Sequence, residues 1–161
     1  MNLIKQKNIV LKSEREFLAD AFFLESEKRL PLIIFVHGYK GYKDWGTWKL
    51  MGERFAKAGF YFVKFNMSHN GTTVEDPNNF ADLEAFGQNN YSKEVRDLEV
   101  VIDHFKDQKE VDSENITLIG HSRGGGISII KALENKNITK LITLASISTL
   151  DRFTKNEAFE N

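Results

Sequence analysis

The residues of this chain best suited to nucleophilic chemistry are Gly120-His121-Ser122-Arg123-Gly124. The pattern Gly-x-Ser-x-Gly lets a serine sit on a very sharp strand-to-helix turn, with its hydroxyl pushed clear of the backbone. The positions two before and two after the serine approach each other there, so Gly120 and Gly124 favour having no side chain. The serine itself is held in an unfavourable conformation, at about 1–3 kcal/mol. A hydroxyl so presented is suited to attack on an acyl carbonyl. The negative oxygen that forms needs donors already in place, and the N–H of Arg123, at the positive end of a helix, is one.

Such a turn needs a strand before it and a helix after it, and both are legible. Asn115-Ile116-Thr117-Leu118-Ile119 is a short β-branched run that reads as a buried strand. Gly124-Gly125-Gly126 leads into Ile127 to Leu133, a helix ending near Asn135. Three glycines are poor helix formers, at about 1 kcal/mol each against alanine. Their use is close packing on the sheet and open access to Ser122. The competing reading is a Gly-rich turn without chemistry, and the flanks favour the catalytic one.

Elsewhere the chain alternates strands and helices. Residues 8–12 and 16–24 read as an antiparallel pair with Ser13-Glu14-Arg15 as the turn. Leu32-Ile33-Ile34-Phe35-Val36 is a strand buried on both faces. Trp48, Met51, Phe55 and Ala58 recur at helical spacing, closed by Gly59. Residues 60–65 form the next strand, and Val95, Leu98, Val101, Ile102 and Phe105 stripe a helix over 91–108. Residues 141–145 are the last strand. The series implies an α/β fold with a mostly parallel sheet and an N-terminal antiparallel hairpin. In such sheets ligands bind beyond the carboxyl ends of the strands. Two glycine-containing turns fall on that edge: His37-Gly38-Tyr39-Lys40-Gly41 and the turn at Ser122.

With 161 residues and 41% hydrophobic content, the chain supports one domain over 1–161. A net charge of −1 without charge blocks favours neither nucleic acid nor an anionic membrane. There is no cysteine, hence no thiol metal site, and no run near the ~20 apolar residues that span a bilayer. The N-terminus lacks the apolar core of a secretion signal, so the expected location is cytoplasmic.

Together these pieces resemble the α/β-hydrolase superfamily along essentially the whole chain. The specific carriers are Val36-His37-Gly38 at a strand end and the strand-embedded Gly-His-Ser turn, which is similar to that of small esterases, feruloyl-esterase-like enzymes among them. The phrase from His37 to Trp45 resembles that of uncharacterised bacterial members. The resemblance implies a serine esterase acting on a small-molecule acyl substrate, with Ser122 as nucleophile and no metal or organic cofactor. It also implies a second oxyanion donor, the backbone N–H of Tyr39, with Gly38 and Gly41 letting its loop turn. A peptidase or thioesterase would use the same site. A different class of reading is a non-catalytic fragment or binding module.

The chain departs from the family pattern in its triad. The partners should follow in the order serine, acid, histidine, yet His37, His69, His104 and His121 all precede Ser122. His37 and His121 read as structural and His104 as a surface residue, which leaves His69 as an unusual candidate base and Asp151 as an early-placed candidate acid. The expectation is that the C-terminal strands carrying acid and histidine are missing and that this chain is inactive alone. The strand 141–145 then offers an edge for self-association. Residues 150–161 would begin a cap with Phe153 and Phe159 facing the pocket. The long loop 66–90 would either cover it, with Phe80, Leu83 and Phe86 on one helical turn, or simply pack over the sheet edge.

Overall fold

The computed structural model describes residues 2–151. The expectations for Phe153 and Phe159 lie outside them. Ten elements follow in order: β1 (Leu3–Lys12), β2 (Glu16–Leu24), β3 (Leu30–Val36), α1 (Trp48–Lys57), β4 (Tyr61–Phe65), α2 (Leu83–Gly87), α3 (Tyr91–Lys106), β5 (Val111–His121), α4 (Arg123–Glu134) and β6 (Ile138–Leu144). The strands form one sheet in the order β1-β2-β4-β3-β5-β6. The hairpin β1–β2 is antiparallel and β2 meets β4 antiparallel. From β4 to β6 all neighbours are parallel.

Period-two alternation assigns the side chains of the central strands to two cores. Leu32, Ile34 and Val36 of β3 face Leu98, Val101, Ile102 and Phe105 of α3 and Ile127 of α4. Ile33 and Phe35 face the other way, onto Trp48, Met51 and Phe55 of α1. Both faces of the sheet are therefore covered, which is why β3 reads as a solid apolar run. Asn90 caps α3 by accepting from the N–H of Lys93 at 3.0 Å. Gly59 follows α1 at φ 92°, a left-handed position that suits glycine.

β6 is the exception. It stands at the sheet margin with Leu141, Ile142 and Leu144 all exposed. The loop after β4 also departs from expectation. Phe80 stands ahead of α2 rather than on it, and Leu83 is 68% exposed, so the three residues share no covering face. Phe86 packs its ring 5.5 Å from that of Tyr39, with the Phe80 ring edge-on to Phe86 at 5.8 Å.

Candidate active site

β5 delivers the chain to Ser122 and α4 takes it away. Ser122 has φ 53° and ψ −118°, a backbone region that residues with side chains rarely occupy. Its N–H donates to the carbonyl of Leu144 at 2.9 Å, and its own carbonyl accepts from Gly125 at 3.0 Å and Ile147 at 3.2 Å. The end of β6 thus braces the turn from beneath. Gly120 and Gly124 are required by contact. A Cβ on Gly120 would lie 2.4 Å from the Gly124 carbonyl oxygen, and one on Gly124 would lie 2.2 Å from that of Val36.

The loop after β3 lies against this turn. A Cβ on Gly38 would stand 3.1 Å from Ser122 Cβ and 3.2 Å from His121 Nδ1. Gly41 closes the loop by donating its N–H to the Gly38 carbonyl at 3.0 Å. Among the described residues, neither the Tyr39 nor the Arg123 N–H donates a hydrogen bond. A cavity of about 180 Å³ opens beside Tyr39, walled also by Lys40, Trp45, Trp48 and His121; neither Ser122 nor Arg123 lines it. A larger hollow of about 550 Å³ lies at the opposite end of the strands, around Gln6, Lys28 and Glu110, away from Ser122.

His37 is fully committed to structure. Its Nδ1 donates to the Gly38 carbonyl at 2.9 Å, and Nε2 accepts from the N–H of Met67 at 3.2 Å. Burial above all, with His121 nearby, pushes its pKa down to about 4, so the ring is neutral at pH 7. His121 packs its ring 5.4 Å from that of Trp48, and His104 is exposed. His69 is buried, with Nδ1 against Ser68 Oγ at 2.8 Å and Nε2 accepting from Lys93 Nζ at 3.2 Å. Burial and the charge of Lys93 lower its pKa. Asp151 is exposed, its N–H on Thr149 Oγ1. Among the described residues, no hydrogen bond joins Ser122 Oγ to His69 or Asp151. The structure thus packs the Gly38 loop against the turn that carries Gly120, Ser122, Arg123 and Gly124, while the hydrogen bonds of His69 and Asp151 go to Ser68, Lys93 and Thr149.

Arg123 holds more than an N–H. Its Nε donates to both oxygens of Glu94, at 2.8 and 3.0 Å, and its guanidinium lies 3.9 Å over the Tyr91 ring. Burial raises the Glu94 pKa against the pull of Arg123. A second polar group, invisible to sequence reasoning, sits under the Tyr39 loop. Lys43 Nζ reaches Asp20 at 3.1 Å and Asp44 at 2.6 Å, and Lys64 Nζ reaches Asp20 at 2.8 Å and Asp44 at 2.5 Å. Burial alone would push the Asp44 carboxyl up, but hydrogen bonds from both lysines outweigh it and hold it at about 2. No group of three or more His, Asp or Glu among the described residues is placed to hold a metal. No helix there is long and apolar enough to cross a membrane.

The sharp turn on a β-strand-to-helix junction, in a sheet of this order, defines an α/β-hydrolase core. The model of the family described as serine aminopeptidase, S33 matches residues 27–156, and the chain belongs to that family of α/β-hydrolases. No curated protein matches it significantly. Among solved structures its fold is similar to a hypothetical protein of Pseudomonas aeruginosa, at TM-score 0.74 and 18% identity over 96% of this chain and 49% of that one. It is also similar to Est1E of Butyrivibrio proteoclasticus with ferulic acid bound (TM-score 0.71, 21% identity, 86% and 52% covered). A third is P91, a dienelactone hydrolase-like promiscuous phosphotriesterase from metagenomic libraries (TM-score 0.73, 19% identity, 89% and 59% covered). The chain spans about half the length of the first two.

Proposed function

We propose that the complete protein is a serine hydrolase that cleaves carboxylic esters through an acyl-enzyme, with Ser122 as nucleophile. The observation that carries this reading is the left-handed backbone of Ser122, clasped between two glycines that admit no Cβ, with the Gly38 turn against it. Ser122 Oγ attacks the acyl carbonyl and gives its proton to a base. The resulting oxyanion takes hydrogen bonds from the Tyr39 and Arg123 N–H groups, each worth about 10²–10³ in kcat. Collapse expels the alcohol, which takes the proton back from the base, and water then releases the acid by the same route.

On this reading the base is none of the four histidines of this sequence, and the hydrogen bonds of His37 and His69 support that. Both ring nitrogens of His37 and of His69 are engaged elsewhere, His121 lies against Trp48, and His104 faces solvent. The reading therefore assigns acid and histidine to parts of the complete protein outside these 161 residues. Alone the chain should show turnover near background, because losing a triad member removes several powers of ten. The family description favours one second reading, an aminopeptidase acting through the same serine. Fluorophosphonate labelling of the complete protein tests the nucleophile. Label should map to Ser122 and vanish in Ser122→Ala, and equal labelling of both proteins would place the nucleophile elsewhere. Parallel assays on p-nitrophenyl esters and aminoacyl anilides separate the two readings.

A further inference from the structure

We infer that Lys64 and Asp20, remote from Ser122 in sequence, are positioning residues that fix the Tyr39 N–H through the Lys43–Asp44 segment; this rests on the oxyanion role proposed for Tyr39. Four charges meet here, two lysines and two aspartates, and Asp20, Lys43 and Lys64 are essentially removed from water. Such a group is a poor source of stability, because well-packed apolar residues of similar volume often serve a fold as well or better. What it can supply is one definite geometry.

That geometry is applied to the loop. Asp20 belongs to β2 and Lys64 to β4, two adjacent strands paired at this level through Asp20 and Lys64 themselves. The Asn8 N–H donates to the second oxygen of Asp20 at 2.9 Å, which fixes the carboxylate. From this platform Lys64 reaches Asp44 while Asp20 takes Lys43 Nζ, so consecutive loop residues are gripped by opposite charges. The backbone on the same side is held as well. The Lys43 N–H donates to Asn66 Oδ1 at 2.6 Å, and Asn70 Nδ2 donates to the Gly41 carbonyl at 3.1 Å. Gly41 in turn closes the turn onto Gly38, which lies against Ser122, leaving Tyr39 at the apex of that turn. His37 anchors the near end of the loop through Gly38 and Met67, and the ionic group anchors the far end. A donor held at both ends is preorganised for the oxyanion and needs no rearrangement during reaction.

The double variant Lys64→Met/Asp20→Asn removes one charge of each sign, keeps the Lys43–Asp44 pair, and preserves an acceptor for Asn8. It avoids the unpaired buried charge that makes either single substitution a test of folding alone. In the complete protein, the Gly41 and Lys43 amides should exchange at least about tenfold faster, with amides of the β3–β5 ladder unchanged. Ester turnover should fall about tenfold to a hundredfold in kcat with KM nearly constant, as a displaced donor requires. Wild-type protection of the two amides would overturn the inference whatever the activity does. Faster exchange with undiminished kcat would overturn it as well. If the amides loosen but wild-type Ser122 never labels, the grip on the loop is supported and the esterase reading falls instead.

Discussion

Replacing Gly124 by alanine puts one methyl group where the turn has no room. The Cβ would sit 2.2 Å from the Val36 carbonyl oxygen, 2.3 Å from that of His37 and 2.7 Å from the Val36 carbonyl carbon. Comfortable carbon contacts lie at about 3.5–4.0 Å, so the overlap exceeds about 1 Å. The obstacle is main chain at the end of a central strand, which has no rotamer to change. Overpacking of this kind costs about 1–3 kcal/mol, and the upper figure applies where nothing flexible can give way. For a chain of this size about 3 kcal/mol is a fall of about 6–12 °C in Tm. Thermal and urea unfolding followed by circular dichroism measures it. The control is Gly87→Ala at the end of α2, where no atom lies within 4 Å of the added carbon; it should stay within about 0.5 kcal/mol of wild type. Because the displaced carbonyls belong to the residues just before Gly38, fluorophosphonate reactivity should suffer beyond the loss of stability. A Gly124→Ala protein melting within a degree or two of wild type would refute the close approach of the two turns.

Acid should weaken the fold through His37. Its pKa is about 4 when folded and 6.5 once the chain is unfolded, so the unfolded chain binds the extra proton between those values. The contribution is complete above pH 6.5 and is lost at about 1.4 kcal/mol per pH unit as pH falls towards 4. Urea titrations of wild type and His37→Gln should therefore diverge in slope over that window, and parallel curves would remove the argument. Glu94 and Asp97, raised by burial, act with the opposite sign but are common to both proteins. At the margin of the sheet, the 161-residue chain should form dimers or larger species in sedimentation. Ile142→Lys, which places a charge on the exposed strand, should shift it towards monomer; identical profiles would mean that β6 takes no part.

What the sequence disclosed was whatever is local. Solid apolar runs placed β3 and β4, the stripe from Val95 to Phe105 placed α3, and the spacing of two glycines around Ser122 marked the turn, whose strained φ then followed. Polar ends were hidden. β5 begins at Val111, ahead of Asp112, Ser113 and Glu114, because its first residues pair with Leu30 and Pro31 before a register shift. β1 reaches back to Leu3 through an irregularity near Asn8, with mostly exposed residues that carry no alternation. Partnerships across the sheet were hidden too. A lysine within Phe60-Tyr61-Phe62-Val63-Lys64-Phe65 looks like a solvated interruption until Asp20 and Asp44 arrive from other elements. The same holds for the loop after β4, where Asn66, Asn70 and Thr72 bond one another in the interior. Spacing alone put Phe80 and Leu83 on one face, and the cap of α2 at Asp82 separated them.

The position of β3 has a consequence for the order of assembly. Its ladder to β4 needs only the intervening α1, whereas its ladder to β5 joins Leu32 to Ile116. Contacts so distant in the chain close late, because the loop entropy must be met before the contact returns anything. The left-handed backbone at Ser122 comes later still, since its turn packs Gly124 against the carbonyls of Val36 and His37 and donates the Ser122 N–H to Leu144. The hairpin, β4 and β3 can be in place while Ser122 is still an ordinary serine in an unstrained chain. With the role proposed for Ser122, reactivity at that hydroxyl in the complete protein would be a clock for the final step of folding, and a chain rich in secondary structure would remain silent until it strikes.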